Sequence, residues 1–274
     1  FLGAVSFPLT FVALRGLADR GYGVAKTLGL VALAWLSWIG PSLKVTTFER
    51  PWILGALGVL TAASALTAWR KHREILRFLR AKWQLLVTEE ALFLTLFTLF
   101  LLIRIGNPDL WHPARGGEKP MDFAYLNAVI RSTTFPPYDP WHAGGFLNYY
   151  YFGFVIVGTA IKLTGIVPWV AYNLAVPTLF ALTATGAFCV AFNLLDGDRS
   201  TEFSGEEPPY GGLRIGTLLG GLAAAFLAVI VGNYGNVRLV IDQLAARSTA
   251  GAAGAGWPSK LIHALSGLAA LIRG

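Results

Sequence analysis

The segment LLVTEEALFLTLFTLFLLIRI, residues 85–105, decides the fold class. A helix needs roughly 20 apolar residues to cross the hydrocarbon core of a bilayer, and this segment supplies them. Working outward along the chain, six further apolar segments qualify or nearly qualify as spans: Phe1–Leu14, Val24–Leu43, Trp52–Trp69, Tyr149–Val167, Val170–Leu195 and Leu213–Val231. Leu261–Ile272 is shorter, and we interpret it as interfacial or truncated.

The composition excludes a soluble protein. Hydrophobic residues make up 55% of the 274 residues and charged residues 14%, and the mean hydropathy is +0.57. One soluble domain cannot bury this many apolar helices, so we predict an all-α, polytopic transmembrane helix bundle of about seven spans. Phe1–Leu14 lacks the charged start of a signal peptide, and we interpret it as a span trimmed at its start. The lone Cys189 excludes an internal disulfide and a cysteine-rich zinc site.

The basic residues predict the orientation and the partners. The 22 Lys and Arg exceed the 15 Asp and Glu, and they lie between apolar segments, which favours membrane lipids over nucleic acid as the partner. The segment Arg70–Glu90 is rich in both basic and apolar residues, so we predict a cytoplasmic amphipathic helix along the headgroups. The loop 107–148 is then exoplasmic, in a protein of the plasma membrane. The side of loop 196–212 stays open.

The 42-residue loop 107–148 is too long for a plain connection between spans. Within it, residues 120–130 place apolar side chains at 121, 124, 125, 128 and 129, which predicts a helix lying on the membrane surface. Pro120 fits the start of that helix and puts Asp122 in its first turn. Asp122 either complements the helix dipole or serves as a functional carboxylate at the bilayer edge.

Downstream, the prolines of residues 135–142 predict a rigid extended or turning stretch that leads to Tyr149, Tyr150 and Tyr151. These tyrosines form either an interfacial aromatic belt or a surface that stacks on a sugar ring. His112 and His142 lie in the same loop as Asp109, Asp122 and Asp139, a set that suits a hard metal or a phosphate. No spacing among them matches a defined metal-ligand motif, so we assign no metal ligands.

Three runs resemble the polytopic membrane family named for its YYY tripeptide, which in turn resembles a branch of the GT-C glycosyltransferases. They are GEKPMDFA at 117–124, FPPYDPW at 135–141 and LNYYYFG at 147–153. The run Asp19-Arg20-Gly21-Tyr22 with Lys26 is also similar to that family. The resemblance implies that residues 85–274 form a GT-C-like core and that residues 1–84 form an extra N-terminal helical module. The resemblance further implies that this core is incomplete, because the family's acidic, phenylalanine-rich stretch and its Asp-Leu-His element do not occur here.

The resemblance also implies a reaction, in which a sugar passes from a polyprenyl-phosphate donor to an exoplasmic acceptor. Asp122 is the candidate catalytic carboxylate and Glu118 the second. The candidates for binding the donor's phosphate and sugar are Arg104, Lys119, Arg131, His112, His142, Tyr149, Tyr150 and Tyr151. For Arg104 and Lys119 the alternative is snorkelling to the headgroups. The lipid-linked sugar is the donor, no cofactor is assigned, and a divalent metal remains open.

A hypothesis from another class is a non-catalytic subunit of a membrane assembly, or a lipid or solute transporter, with other membrane proteins as partners. The small residues of 211–235 suit close helix packing in any bundle. Trp52–Ala68 and Val170–Leu194 carry no charge, which argues against an ion path through them and favours a scaffold over a transporter. The position of Asp122, facing either a cavity lined by Tyr149–Tyr151 or a partner chain, discriminates between enzyme and scaffold.

Overall fold

The computed structural model describes residues 1–110, 118–196 and 214–233, with a few isolated positions beyond them. Its helices are α1 (Leu2–Ala13), α2 (Tyr22–Ser42), α3 (Arg50–Ala81), α4 (Trp83–Gly106), α5 (Lys119–Arg131), α6 (Phe152–Thr164), α7 (Pro168–Asp196) and α8 (Ile215–Val229), followed by a 3-10 turn at Val231–Asn233. The described ranges contain no strand, so the predicted all-α class is confirmed.

Four helices, α2, α3, α4 and α7, are long and apolar enough to cross a membrane. The helices α1, α6 and α8 are apolar but shorter, with 12, 13 and 15 residues. The chain is therefore an integral membrane protein with several apolar helices, and the total of seven spans stays a prediction.

The helix ends define two sides of the bundle. Phe48, between α2 and α3, donates its backbone N–H to the carbonyl of Thr133, so this connection lies beside the long loop. We call this the loop side. The starts of α2 and α4 meet at the other end, where the Tyr22 hydroxyl donates to Glu90 at 2.9 Å. We call that end the basic side, because the basic C-terminal half of α3 ends there.

The helix α7 packs against α4, α8 and α2 and forms the centre of the bundle. Phe188 and Phe192 on α7 are buried with Leu85 of α4 and Ala225 of α8. Glycine lets α8 approach closely, because a Cβ at Gly221 would lie 2.8 Å from the Phe188 ring. On the basic side, Phe7 and Phe11 of α1 pack edge to face or tilted against Phe78 of α3.

The turn between α1 and α2 is attached to α7 by a reciprocal pair of side chains. Asp19, which is fully buried, accepts from the backbone N–H groups of Gly21 and Gly23 and from Asn193 Nδ2 at 2.8 Å. Asn193 Oδ1 in turn accepts from the N–H groups of Ala18 and Asp19. Gly21 has φ +72°, a left-handed conformation that favours glycine at this position. The first helical pair is thereby held to the centre of the bundle.

The predicted boundary between the span Trp52–Trp69 and an amphipathic helix Arg70–Glu90 is wrong. The helix α3 continues without a break to Ala81, and α4 starts at Trp83. No glycine or proline interrupts residues 59–81, so the backbone stays helical where the hydropathy falls. Ile75 and Phe78 are buried against α1, so this apolar face packs on protein and not on headgroups.

The predicted span Tyr149–Val167 contains a helix that is shorter than its apolar stretch. The helix α6 has 13 residues and is about 20 Å long, against a hydrocarbon core of about 30 Å. Both of its ends contact loop-side residues. The Tyr151 hydroxyl accepts a hydrogen bond from Trp38 near the end of α2, and Lys162 Nζ lies 3.5 Å from Glu49 Oε1 before the start of α3. Gly165 ends the helix in the left-handed conformation. The helix α5 lies on the loop side, and α6 also reaches the buried apolar cluster of Leu33, Ala56 and Leu60 through Leu163.

Candidate functional site

The helix predicted at 120–130 is confirmed as α5, with a proline in its first turn. Its buried residues are Leu126, Ala128 and Val129, and they pack against α6 and α7. The predicted apolar face therefore contacts the protein, at least at Ala128 and Val129, instead of lying on the membrane. This packing fixes the orientation of α5 and, with it, the direction of the side chains in its first turn.

Asp122, in that first turn, is partly buried and faces the start of α7. Its Oδ2 accepts a long hydrogen bond of 3.5 Å from the Tyr172 hydroxyl. Burial raises the pKa of the Asp122 carboxyl, the charge of Glu118 raises it further, and the bond from Tyr172 lowers it. The net effect is a more basic carboxylate than an ordinary aspartate, which suits proton abstraction.

Arg104, at the end of α4, is held by the neighbouring residue on α7. Its Nε donates to Asn173 Oδ1 at 2.9 Å, and its Nη2 donates to the same oxygen and to the carbonyl of Asp109. Asn173 is fixed in turn, because its Nδ2 donates to the carbonyls of Trp169 and Pro108. Arg104 is therefore anchored to protein at the loop side.

Tyr172 and Asn173 are the residues that sequence reasoning missed. They lie in the first turns of α7, inside a segment that we predicted only as an apolar span. The one available signal was a polar pair at the start of that segment, beside a loop with candidate charges. Through these two consecutive residues, α7 contacts both the acid on α5 and the guanidinium on α4.

The three tyrosines precede α6 and are not equivalent. Tyr151 accepts a hydrogen bond from Trp38 Nε1 at 3.2 Å and stacks on Phe135, with ring centroids 5.7 Å apart. Tyr149 and Tyr150 are exposed, and their ring centroids lie 3.8 Å apart. A hydrogen bond with Tyr149 raises the pKa of Tyr150 to about 12, and the charges of Glu118 and Asp122 act in the same direction. This exposed pair therefore lies within electrostatic reach of the two predicted acids.

The remaining predicted site residues are spread along the loop. Glu118 and Lys119 adjoin the start of α5, next to Asp122. Arg131 ends α5, nine residues or about 13 Å further along the helix axis, so the structure does not bring it to Asp122. His142 is exposed in the turn that follows, and His112 lies outside the described residues.

The proline-rich stretch forms a short hairpin-like turn. Tyr138 and Phe146 pair across it, Leu147 donates its N–H to the Pro137 carbonyl, and Asp139 caps the N–H of Trp141 at 2.8 Å. Asp139 is thus used within the turn. In the ranges that the structure describes, no group of three or more His, Cys, Asp or Glu side chains is arranged to hold a metal ion.

A family model described as "Uncharacterized membrane protein (DUF2298)" matches residues 32–266, which is most of the chain. No curated protein and no solved structure matches.

Proposed function

Because the chain belongs to the uncharacterized membrane protein family DUF2298, we propose a function from its loop-side site: a membrane glycosyltransferase that moves a sugar from a polyprenyl-phosphate donor to an exoplasmic acceptor. The observation that carries the proposal is the contact of Tyr172 with Asp122 and of Asn173 with Arg104. These contacts bring a basic carboxylate and a fixed guanidinium to the same end of α7. The resemblance of the loop to the YYY family, a GT-C-like branch, supports the same reaction.

The proposed step is a displacement at the anomeric carbon of the donor sugar. The acceptor hydroxyl oxygen bonds to that carbon while Asp122 takes the hydroxyl proton, and the bond between the carbon and the phosphate oxygen breaks. The electron pair of that bond leaves with the lipid phosphate, whose charge Arg104 stabilises. Tyr149 and Tyr150 offer exposed ring faces to the sugar. The spans beside the loop hold the lipid tail.

The reaction is tested with the full-length protein in lipid nanodiscs and a panel of radiolabelled polyprenyl-phosphate sugars. Asp122→Asn keeps a good residue for a helix start and removes the base, so transfer should fall at least about 100-fold with an unchanged yield of folded protein. Asp139→Asn is the matched control, because Asp139 serves its own turn. Equal transfer by wild type and Asp122→Asn would reject Asp122 as the base.

The pH profile gives a second test. Since burial and the Glu118 charge raise the pKa of Asp122, the rate should fall toward acid with an apparent pKa above the ordinary aspartate value of about 3.9. Glu118→Gln removes one cause of the upward shift, so the acid limb should move to lower pH. An acid limb that Glu118→Gln leaves in place would show that another group titrates.

One observation favours the second candidate, a docking subunit. Trp141, at the tip of the turn, and Phe146, at its base, are 64% and 68% exposed, an arrangement that also suits contact with another membrane protein. Two results together would support the docking role over the enzymatic one. Wild type would transfer no sugar from any donor, and a membrane protein that co-purifies with wild type and with Asp122→Asn would be lost from Trp141→Ala.

A further inference from the structure

Two adjacent glutamates on α4 have opposite surroundings. Glu90 accepts hydrogen bonds from the Tyr22 hydroxyl and from Lys26 Nζ, both on α2. Glu89 is fully buried, and neither of its carboxyl oxygens has a hydrogen-bond partner among the described residues. An ionised carboxylate without donors is too costly to bury in a membrane protein, so Glu89 requires an explanation.

A second buried carboxyl lies beside it. Asp19 receives four donors: the N–H groups of Gly21 and Gly23, Asn193 Nδ2 and the Cys189 thiol. This set of donors suits the charged carboxylate, because every one of them stabilises the negative form. The turn between α1 and α2 thus brings a fixed negative charge into the junction with α4 and α7.

Gly23 shows how closely the two carboxyls approach. Its N–H donates to Asp19 Oδ2 at 3.0 Å, and a Cβ on the same residue would lie 3.1 Å from Glu89 Oε1 and 3.0 Å from the Cys189 Cβ. The side of Glu89 that faces Gly23 is therefore closely packed by protein, which favours a bare proton over a larger hydrated cation. Lys26, the nearby ammonium group, is already paired with Glu90.

We propose that Glu89 is a membrane-embedded proton-binding site, and that its bound proton holds the turn between α1 and α2 against α4 and α7. The titratable or charged groups that act on or adjoin it are Asp19 from that turn, Tyr22 and Lys26 from α2, Glu90 from α4 and Cys189 from α7. With the proton in place, one negative charge is buried there. Release of the proton to solvent places a second negative charge beside Asp19, and the junction loosens through repulsion and hydration.

The test is the pH dependence of thermal stability for the full chain in nanodiscs. A proton held only in the folded state gives stability that is present at low pH and lost as pH rises, so the melting temperature of wild type should fall by roughly 2–4 °C per pH unit in the titrating range. Glu89→Gln mimics the protonated form. We expect the melting temperature of Glu89→Gln to lose this dependence on pH and to lie above that of wild type at high pH. The control Glu90→Gln should keep the pH dependence.

Infrared spectra give a direct readout. The carbonyl stretch of a protonated carboxyl should be present in wild type and Glu90→Gln and absent in Glu89→Gln. A band or a pH slope that survives in Glu89→Gln would overturn the proposal. A cation-dependent result would overturn it as well. If sodium or a divalent cation at high pH raises the melting temperature of wild type and not that of Glu89→Gln, the site binds a cation. If Glu89→Gln is poorly folded, Glu89→Leu supplies an apolar replacement for the same comparison.

Discussion

The Tyr149–Tyr151 run shows how differently three identical neighbours are placed. Tyr151 is half-buried against Trp38 and Phe135, while Tyr149 and Tyr150 are 55% and 63% exposed. Tyr151→Phe should lower the free energy of unfolding by about 0.5–1.5 kcal/mol, because the Trp38 N–H loses its partner. Tyr149→Phe and Tyr150→Phe should leave it unchanged. Denaturant titration in mild detergent measures all three.

The same variants separate anchoring from ligand binding. If the exposed pair contacts the donor, one of the two variants Tyr149→Phe and Tyr150→Phe should weaken binding of a fluorescent polyprenyl phosphate sugar about tenfold. The second of these two variants should have little effect on binding. Donor binding that all three variants retain would assign the exposed pair to the interfacial belt.

At the scale of the element, the pair α7 and α8 offers a matched test of close packing. A Cβ at Gly221 would lie 2.8 Å from the Phe188 ring and 3.3 Å from its carbonyl oxygen, whereas a Cβ at Gly216 meets nothing within 4 Å. Gly221→Ala should therefore cost about 1–3 kcal/mol of stability. Gly216→Ala should be neutral or stabilising by up to about 1 kcal/mol.

Thermal unfolding of the two alanine variants in the same detergent checks this prediction. If Gly221→Ala has the same melting temperature as wild type, α7 and α8 must separate by a few tenths of an ångström at no cost. The close approach at Phe188 would then contribute nothing to stability.

Helix boundaries were the part of the elements that hydropathy predicted least well. Hydropathy reports where a segment is apolar, and for α4 and α7 that coincides with where the chain is helical. In α3 the helix extends beyond the apolar stretch, because Trp69–Arg73 are ordinary helix formers and Phe78 packs against Phe11 of α1. In α6 the apolar stretch extends beyond the helix, because Gly165 ends the helix.

For the whole molecule, the decisive prediction concerns sidedness. Cysteines introduced singly at Trp141 and Thr164 should both react with an impermeant maleimide from outside intact cells, because both ends of α6 lie on the loop side. A cysteine at Arg77 should react only after permeabilisation. The native Cys189 is buried and should remain silent.

Labelling at Thr164 from the same side as Arg77 would restore α6 as a crossing helix. Labelling at Arg77 and not at Trp141 in intact cells would invert the molecule and remove the exoplasmic acceptor from the proposed reaction.

The sequence predicted only part of the candidate site. Asp122, Glu118 and Arg104 could be singled out because charged groups beside apolar segments are conspicuous, and the loop-side position of all three follows from the spans. Tyr172 and Asn173 could not, because a helix start contains such residues for many reasons and only the packing of α7 between α4 and α5 gives them partners. Likewise, Glu89 is indistinguishable from Glu90 until the burial of each is known.

The attachment of Asp19 to Asn193 also sets an order of events during biosynthesis. The two residues are 174 positions apart, and at a synthesis rate of roughly 5–20 residues per second the ribosome needs about 10–35 s to traverse that distance. Until α7 has been made, the Asp19 carboxyl lacks the donors that Cys189 and Asn193 supply. This turn therefore needs other hydrogen-bond donors, such as water, until α7 is in place.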